Sequence, residues 1–248
     1  TLDNAIEKNQ LAQALLFCGP RGVGKTSCAR ILAKKINNQA KDVTDNDFAF
    51  NIFELDAASN NSVDDIRSLN EQVRIPPQIG THKVYIIDEV HMLSIGAFNA
   101  FLKTLEEPPK HVIFILATTE KQKIIPTILS RCQTYDFKRI SVKDCRDYLK
   151  KIAKDQKIEF EEEALGLIAQ KADGALRDAL SIYDRMVSFT DRSLTIKSVS
   201  ENLNLLDNET FFYITELILE HDIPALLLAL DELLQKGFDQ LQFITGVG

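Results

Sequence analysis

The 248 residues carry 29 Lys and Arg against 36 Asp and Glu, a formal net charge of −7, and 45% of them are hydrophobic. That apolar content supports one large domain or two to three small ones with real cores, and the acidic balance excludes a protein that is basic throughout, so any nucleic-acid surface has to be local. No apolar run approaches the ~20 residues of a membrane span, and no secretory leader is visible.

Leu2 to Lys8 reads as a short helical piece ending at Asn9-Gln10. Ala14 to Cys18 is an apolar strand, Gly19 to Gly24 a glycine-punctuated turn, and Lys25 to Ile36 a helix with Cys28, Ile31, Leu32 and Ile36 at helical spacing. Asn37 to Asp47 is polar and without pattern, a surface loop. Asn51 to Asp56 alternates as a strand does. Ser62-x-x-Asp65 then opens a helix with a capping box that uses Asp in place of Glu. That helix carries Val63, Ile66, Leu69 and Val73 and stops before Pro76-Pro77.

Lys83 to Val90 is a nearly continuous apolar run ending in carboxylates, as strands buried on both faces of a parallel sheet read. Ser94 caps a helix to about Leu105, Val112 to Thr118 is a second fully apolar strand, Ile124 to Arg131 a short helix or turn, and Thr134 to Phe137 a last short strand. Alternation of strand and helix through Phe137 predicts an α/β domain with a parallel sheet covered on both faces. After Lys138 the pattern turns helical: Ser141 to Gln156, Glu161 to Ala172, Ala175 to Phe189 and Ile196 to Leu203, broken at Gly174 and Asp191. Leu205 to Asn208 reads as a linker, and Thr210 to Glu220 and Pro224 to Lys236 begin a further helical unit. The chain starts at Thr1 without a Met and ends on Gly246-Val247-Gly248, which reads as a fragment at both ends.

Gly19, Gly24, Lys25 and Thr26 stand in the order G-x-x-x-x-G-K-[ST], the phosphate-binding loop, between a strand and a helix. Glycines let the backbone turn its N–H groups toward an anion and approach it closely. The start of the following helix adds partial positive charge. Lys25 can reach the β- and γ-phosphates and the Thr26 hydroxyl can ligate Mg²⁺, so the site predicts ATP with Mg²⁺. Asp88-Glu89 at the end of the apolar strand is the second half of such a site, Asp88 for the metal shell and Glu89 to polarise water. A hydroxyl of Thr118 or Thr119 at the end of the next strand can orient that water. Arg131 and Arg177, taken singly, are as ordinary as any solvated charge. So are Arg67, Arg74 and Lys103 as DNA-facing residues. Cys18, Cys28, Cys132 and Cys145 form no C-x-x-C pair, which makes zinc a poor reading; His82, His111 and His221 read as surface or loop residues.

The set GPRGVGKT, ELDAASN, VYIIDEVHML, FNAFLKTLEEPP, FILATTE, TILSRCQ and GALRDALS resembles the gamma/tau ATPase subunits of the bacterial DNA polymerase III clamp loader, an AAA+ family akin to eukaryotic replication factor C. The likeness spans nearly the whole chain, in the family's motif order. It implies an AAA+ core with a parallel five-stranded sheet over 1–140, a helical lid over 141–204, and the start of a helical collar over 205–248. By this similarity Gly19, Pro20, Arg21, Gly22, Val23, Gly24, Lys25, Thr26 and Ser27 line the nucleotide. Asp88 and Glu89 are the Walker B pair, with Thr26 and Asp88 on Mg²⁺. Thr119 is the first sensor, Arg131 the arginine finger and Arg177 the second sensor. The implied partners are other clamp-loader subunits in a ring, the sliding clamp and primed DNA, in the cytoplasm. The family belongs to the DNA polymerase holoenzyme, yet no polymerase active site is visible and ATP hydrolysis is the one reaction supported.

Two departures stand out: the family's four-cysteine zinc module has no cysteine between Asn37 and Phe50 here, so no zinc is expected, and the family's V-G-Q adenine-contacting motif does not precede Thr1. Other AAA+ remodellers, such as a helicase loader or a branch-migration motor, are the rival on the same fold. A small-molecule kinase would need an acceptor pocket under an arginine-rich lid, and a non-hydrolysing structural subunit would not need Lys25, Thr26, Asp88 and Glu89 intact.

Overall fold

The computed structural model describes residues 11–37, 51–78, 80–190, 192–203 and 208–235. The chain forms two compact units that part between Arg139 and Ile140. In the first, strands β1 (Ala14–Cys18), β2 (Ile52–Asp56), β3 (Lys83–Asp88), β4 (Val112–Thr118) and β5 (Gln133–Asp136) form one sheet in the order β2-β3-β4-β1-β5, every pair parallel. Its helices are α1 (Lys25–Asn37), α2 (Val63–Val73), α3 (Ile95–Glu106) and the one-turn α4 (Pro126–Leu129).

Parallel strands joined by helices are covered on both faces, which is why β1, β3 and β4 have no charged side chain in mid-strand. Alternate residues divide between two cores. Leu16, Tyr85, Ile87, Phe114 and Leu116 pack under Ile66, Leu69 and Val73 of α2 and Phe98, Phe101 and Leu105 of α3. Leu15, Phe17, Val84, Ile86, Ile113 and Ile115 pack under Ala29, Leu32, Ala33 and Ile36 of α1. Phe101 meets Phe114 edge to face with ring centroids 5.1 Å apart, the favoured geometry of two aromatic quadrupoles.

The helix starts follow the capping signals. The Ser62 hydroxyl accepts from the Asp65 N–H while the Asp65 carboxylate accepts from the Ser62 N–H, so Asp closes the capping box. Ser94 caps α3 through the Ala97 N–H. Strand β3 stops at Asp88, two residues before the apolar run does. Glu89 takes a left-handed conformation with φ 47° and turns the chain into a single 3₁₀ turn, Val90–Met92.

The second unit packs α5 (Val142–Asp155), α6 (Glu162–Lys171), α7 (Leu176–Phe189) and α8 (Ile196–Asn202) around Leu149, Leu165, Ile168, Tyr183, Met186, Leu194 and Val199. It also holds a small parallel pair not anticipated from the sequence, β6 (Glu159–Phe160) with β7 (Ser193–Leu194). The helices α9 (Asn208–Leu219) and α10 (Ile223–Gln235) follow; Asn208, expected as the end of a linker, is the first residue of α9. The expected Leu2–Lys8 helix, the loop beyond Asn37 and Leu205–Asp207 lie outside the described residues. Among the described residues no helix is long and apolar enough to cross a membrane.

Phe101 is fully buried between α3 and the sheet. Phe101→Ala is expected to cost about 3–5 kcal/mol through lost burial and the cavity left behind. Urea unfolding should show a lower midpoint at unchanged slope.

Candidate active site

The register of the sheet brings the polar strand ends together. Cys18 lies opposite Thr118 and Asp136, and Asp56 opposite Asp88. In open α/β sheets ligands sit outside these carboxyl ends.

The loop from Gly19 to Gly24 leaves β1 there. Gly19, at φ 150°, packs so closely on the start of the chain beyond β5 that a Cβ would lie 2.3 Å from the Phe137 carbonyl oxygen. Gly22 and Gly24 adopt φ 76° and 96°, where side chains are strained, and nothing lies within 4 Å of where a Gly24 Cβ would point. The loop therefore presents open backbone next to the first turn of α1, whose N–H groups have no intrahelical acceptor. Val23 is buried, Gly22 and Pro20 half-buried, and Arg21 and Ser27 exposed.

Lys25 is 6% exposed, and its ammonium donates to the carbonyls of Gly19 and Pro20, both at 2.8 Å. Burial pulls its pKa below the ordinary lysine value, while the carboxylates of Glu89 and Asp88 push it back up. The Thr26 hydroxyl donates to Asp88 Oδ2 at 2.7 Å, and Asp88 Oδ1 accepts from the Glu89 N–H at 2.9 Å. A hydroxyl paired with a carboxylate is an all-oxygen donor set suited to a hard cation that keeps part of its water, as Mg²⁺ does. The open glycine cradle, the near-buried ammonium and this oxygen pair fit a nucleoside triphosphate with Mg²⁺.

Glu89 follows Asp88 in the turn, so the two carboxylates approach one site from adjacent positions. A left-handed glutamate is an uncommon conformation, held by the contacts around it. Its Oε2 accepts the Thr119 hydroxyl at 3.0 Å and the Thr119 N–H at 3.4 Å. The two threonines at the end of β4 thus divide their work. Thr119 holds Glu89, whereas Thr118 is wholly buried, with its hydroxyl 3.0 Å from His91 Nδ1 and accepting from the Glu120 N–H.

Arg131 lies in the same unit, after α4. It donates to Glu106 Oε1 at 2.7 Å and to the Thr127 carbonyl at 2.7 Å, so it is anchored to the ends of α3 and α4. Arg177 is exposed in the first turn of α7, in the second unit. Within the first unit the structure therefore brings together Gly19 to Thr26, Asp88, Glu89 and Thr119, while Arg131 is bonded instead to Glu106 and Thr127. His91 and Glu120 escaped sequence reasoning. One histidine inside an apolar stretch carries no spacing signal, and two of its partners, Thr118 and Glu120, lie 27 and 29 positions away.

Residues 1–141 match the family described as DNA polymerase III, delta subunit, and residues 144–192 the DNA polymerase III clamp loader subunit, ATPase lid domain. The chain is 45% identical to the DNA polymerase III subunit tau of Bacillus subtilis, over 98% of this chain and 46% of that protein. It is 39% identical to the Escherichia coli subunit tau, over 96% of this chain and 39% of that protein. To the DNA polymerase III subunit gamma of Buchnera aphidicola subsp. Schizaphis graminum it is 35% identical, over 96% of this chain and 69% of that protein. The chain thus spans less than half the length of the first two relatives. Among solved structures it is similar to the Thermotoga maritima RuvB Holliday junction branch migration motor, with a TM-score of 0.63 at 21% identity, over 93% of this chain and 78% of that one. That likeness shows the fold alone.

Lys25→Ala removes the near-buried cation of the loop and frees two carbonyls it holds. It is expected to abolish measurable binding of a labelled ATP analogue in titration while leaving the far-UV circular dichroism unchanged. Unchanged binding would overturn the site.

Proposed function

The chain belongs to the family of DNA polymerase III gamma and tau subunits, and from that premise we propose that it is the ATP-binding and ATP-hydrolysing motor of a clamp loader, driving a sliding clamp onto primed DNA during replication. The observation that carries the proposal is the joining of three segments at one edge of the sheet: the Gly19–Thr26 loop, the Asp88-Glu89 turn bonded to Thr26, and Thr119 bonded to Glu89. A non-hydrolysing subunit has no need of an aligned water-activating carboxylate.

In this reading 1–140 is the ATPase core, 141–204 the lid and 205–248 the start of the collar through which subunits assemble in the cytoplasm. Bound ATP with Mg²⁺ supplies the phosphoryl group and the charge neutralisation for its transfer to water. The loop N–H groups from Arg21 to Ser27 would hold the phosphates, and Lys25 would exchange its own carbonyls for phosphate oxygens. Thr26 and Asp88 would hold the metal. Glu89 takes the proton of the attacking water, and Thr119 fixes the direction in which its carboxylate faces. Arg131 acts on the nucleotide of a neighbouring subunit, and its anchoring by Glu106 presents a preformed guanidinium rather than a flexible one. Arg177 is the second-sensor arginine that the family resemblance implies for the γ-phosphate. Both arginines gain charge-assisted bonds only while that phosphate is present, which makes it the switch between the gripping and releasing states.

The test is ATP turnover by the full-length protein assembled with its partner subunits. Hydrolysis should rise when clamp and primed DNA are added together. Glu89→Gln should retain ATP binding and lower turnover ~10²-fold or more. An assembly of Arg131→Ala chains mixed with Lys25→Ala chains should recover part of the turnover that each lacks alone. If clamp and primed DNA leave the rate unchanged, the clamp-loader reading fails.

A further inference from the structure

We infer that His91 is a positioning residue for the hydrolysis, tying the carboxylate of Glu89 to the end of strand β4. The inference rests on the reading of Glu89 as the group that activates water, and it adds a residue that no sequence motif assigns to that step.

The imidazole sits in the 3₁₀ turn two residues beyond Glu89, with its side chain 6% exposed. Both ring nitrogens face carboxylates from opposite sides. Nδ1 lies 3.4 Å from Glu89 Oε2, and Nε2 lies 3.3 Å from Glu120 Oε1. Nδ1 is also 3.0 Å from the Thr118 hydroxyl, and that hydroxyl accepts the Glu120 N–H at 3.0 Å. Lys123 donates to the same Glu120 oxygen at 2.8 Å and holds that carboxyl below the usual range. The ring is therefore wedged between Glu89 and a rigid loop whose charge is fixed from its far side. With its proton on Nδ1 the ring can donate toward Glu89 Oε2 and the Thr118 hydroxyl, and it is in this form that it ties the carboxylate to the end of β4.

A second observation concerns which oxygen is held. Among the described residues, the contacts of the Glu89 carboxylate fall on Oε2, from Thr119 on one side and His91 on the other. The Thr119 hydrogen bonds and the nearby His91 Nδ1 converge on Oε2 and leave Oε1 as the oxygen to meet a water. The angular placement of a general base governs its rate contribution, and an error of about 1 Å costs on the order of 10²-fold. Thr119 alone constrains the distance; His91 adds the second point that fixes the orientation. Because His91 is seated on Thr118 and Glu120, a shift of the β4 end moves the base with it. A histidine that merely fills space would not place both nitrogens on carboxylates, one of them the catalytic group.

The experiment is single-turnover ATP hydrolysis by the full-length protein in its assembled complex. His91→Ala, His91→Asn and His91→Gln are each compared in the native and the Glu89→Gln backgrounds. His91→Ala is expected to lower kcat about 10- to 100-fold with KM within about twofold, as for a group that acts only after binding. His91→Asn, which returns a polar group at the Nδ1 position, or His91→Gln, which returns one near Nε2, should restore part of the rate, and which of them does so identifies the contact that matters. In the Glu89→Gln background the same changes should add nothing, because a residue acting through Glu89 has nothing left to position. A His91 loss that multiplies fully onto the Glu89→Gln loss, or a kcat that stays native in all three variants, overturns the inference alone. Should His91→Ala fail to fold, the two polar variants decide the matter by the same cycle. A native rate in Glu89→Gln itself would instead overturn the reading on which the inference rests.

Discussion

Parallel pairing at even spacing is the constraint from which the site follows. Once β1 is hydrogen-bonded between β4 and β5, Cys18 must lie beside Thr118 and Asp136, and β2 beside β3 must set Asp56 against Asp88. Strands β1 and β4 are apolar up to those residues because helices cover both faces, so the first polar atoms these two strands offer, apart from a thiol, appear at the carboxyl end. Nothing has to bend far to reach a common point. The loop after β1, the turn after β3 and the threonines after β4 are neighbours because their strands are. A one-residue slip of β3 would move Tyr85 and Ile87 to the other face and carry Asp88 out of reach of Thr26.

Charge balance at that edge is maintained by short local bonds. Lys25 is nearly buried, yet its ammonium has two carbonyl partners and two carboxylates within its field. Asp88 has one oxygen on the Thr26 hydroxyl and the other on the Glu89 N–H. A buried ionised group without such partners costs several kcal/mol, so these contacts keep the edge intact. They are also bonds to neutral groups, weaker than those an anionic phosphate or a divalent cation would offer in their place. Exchange in favour of the ligand is therefore built into the chemistry of the partners.

Much of the fold was legible because its signals are local. The strands Ala14–Cys18 and Val112–Thr118 were read to the residue, since an unbroken apolar run flanked by glycine, proline or threonine has few other homes. The Ser62-Asp65 box was equally plain. What escaped notice depends on distance along the chain. Strands β6 and β7 are two residues each, too short to alternate, and exist only because Glu159-Phe160 and Ser193-Leu194 are brought side by side by the helices between them. Strand β3 ended early because of a backbone conformation at Glu89 that no residue type announces. Of the site, the phosphate loop and the acidic pair could be read from spacing. The separate tasks of Thr118 and Thr119 could not, since adjacent threonines look alike until the fold turns one inward toward His91 and the other toward Glu89.

The distribution of thiols has a practical consequence. All four cysteines are unbridged. Cys18 and Cys145 are buried and Cys132 half-buried; burial raises the pKa of each, that of Cys132 to about 11. Cys28 is exposed, one turn into α1 and two residues past Thr26. Since exposed thiols react ahead of buried ones, a bulky maleimide dye added to the folded chain would favour Cys28 over the other three. The molecule thus carries a ready-made attachment point for a fluorophore at the rim of its phosphate loop, where emission would follow occupancy in real time without an engineered mutation.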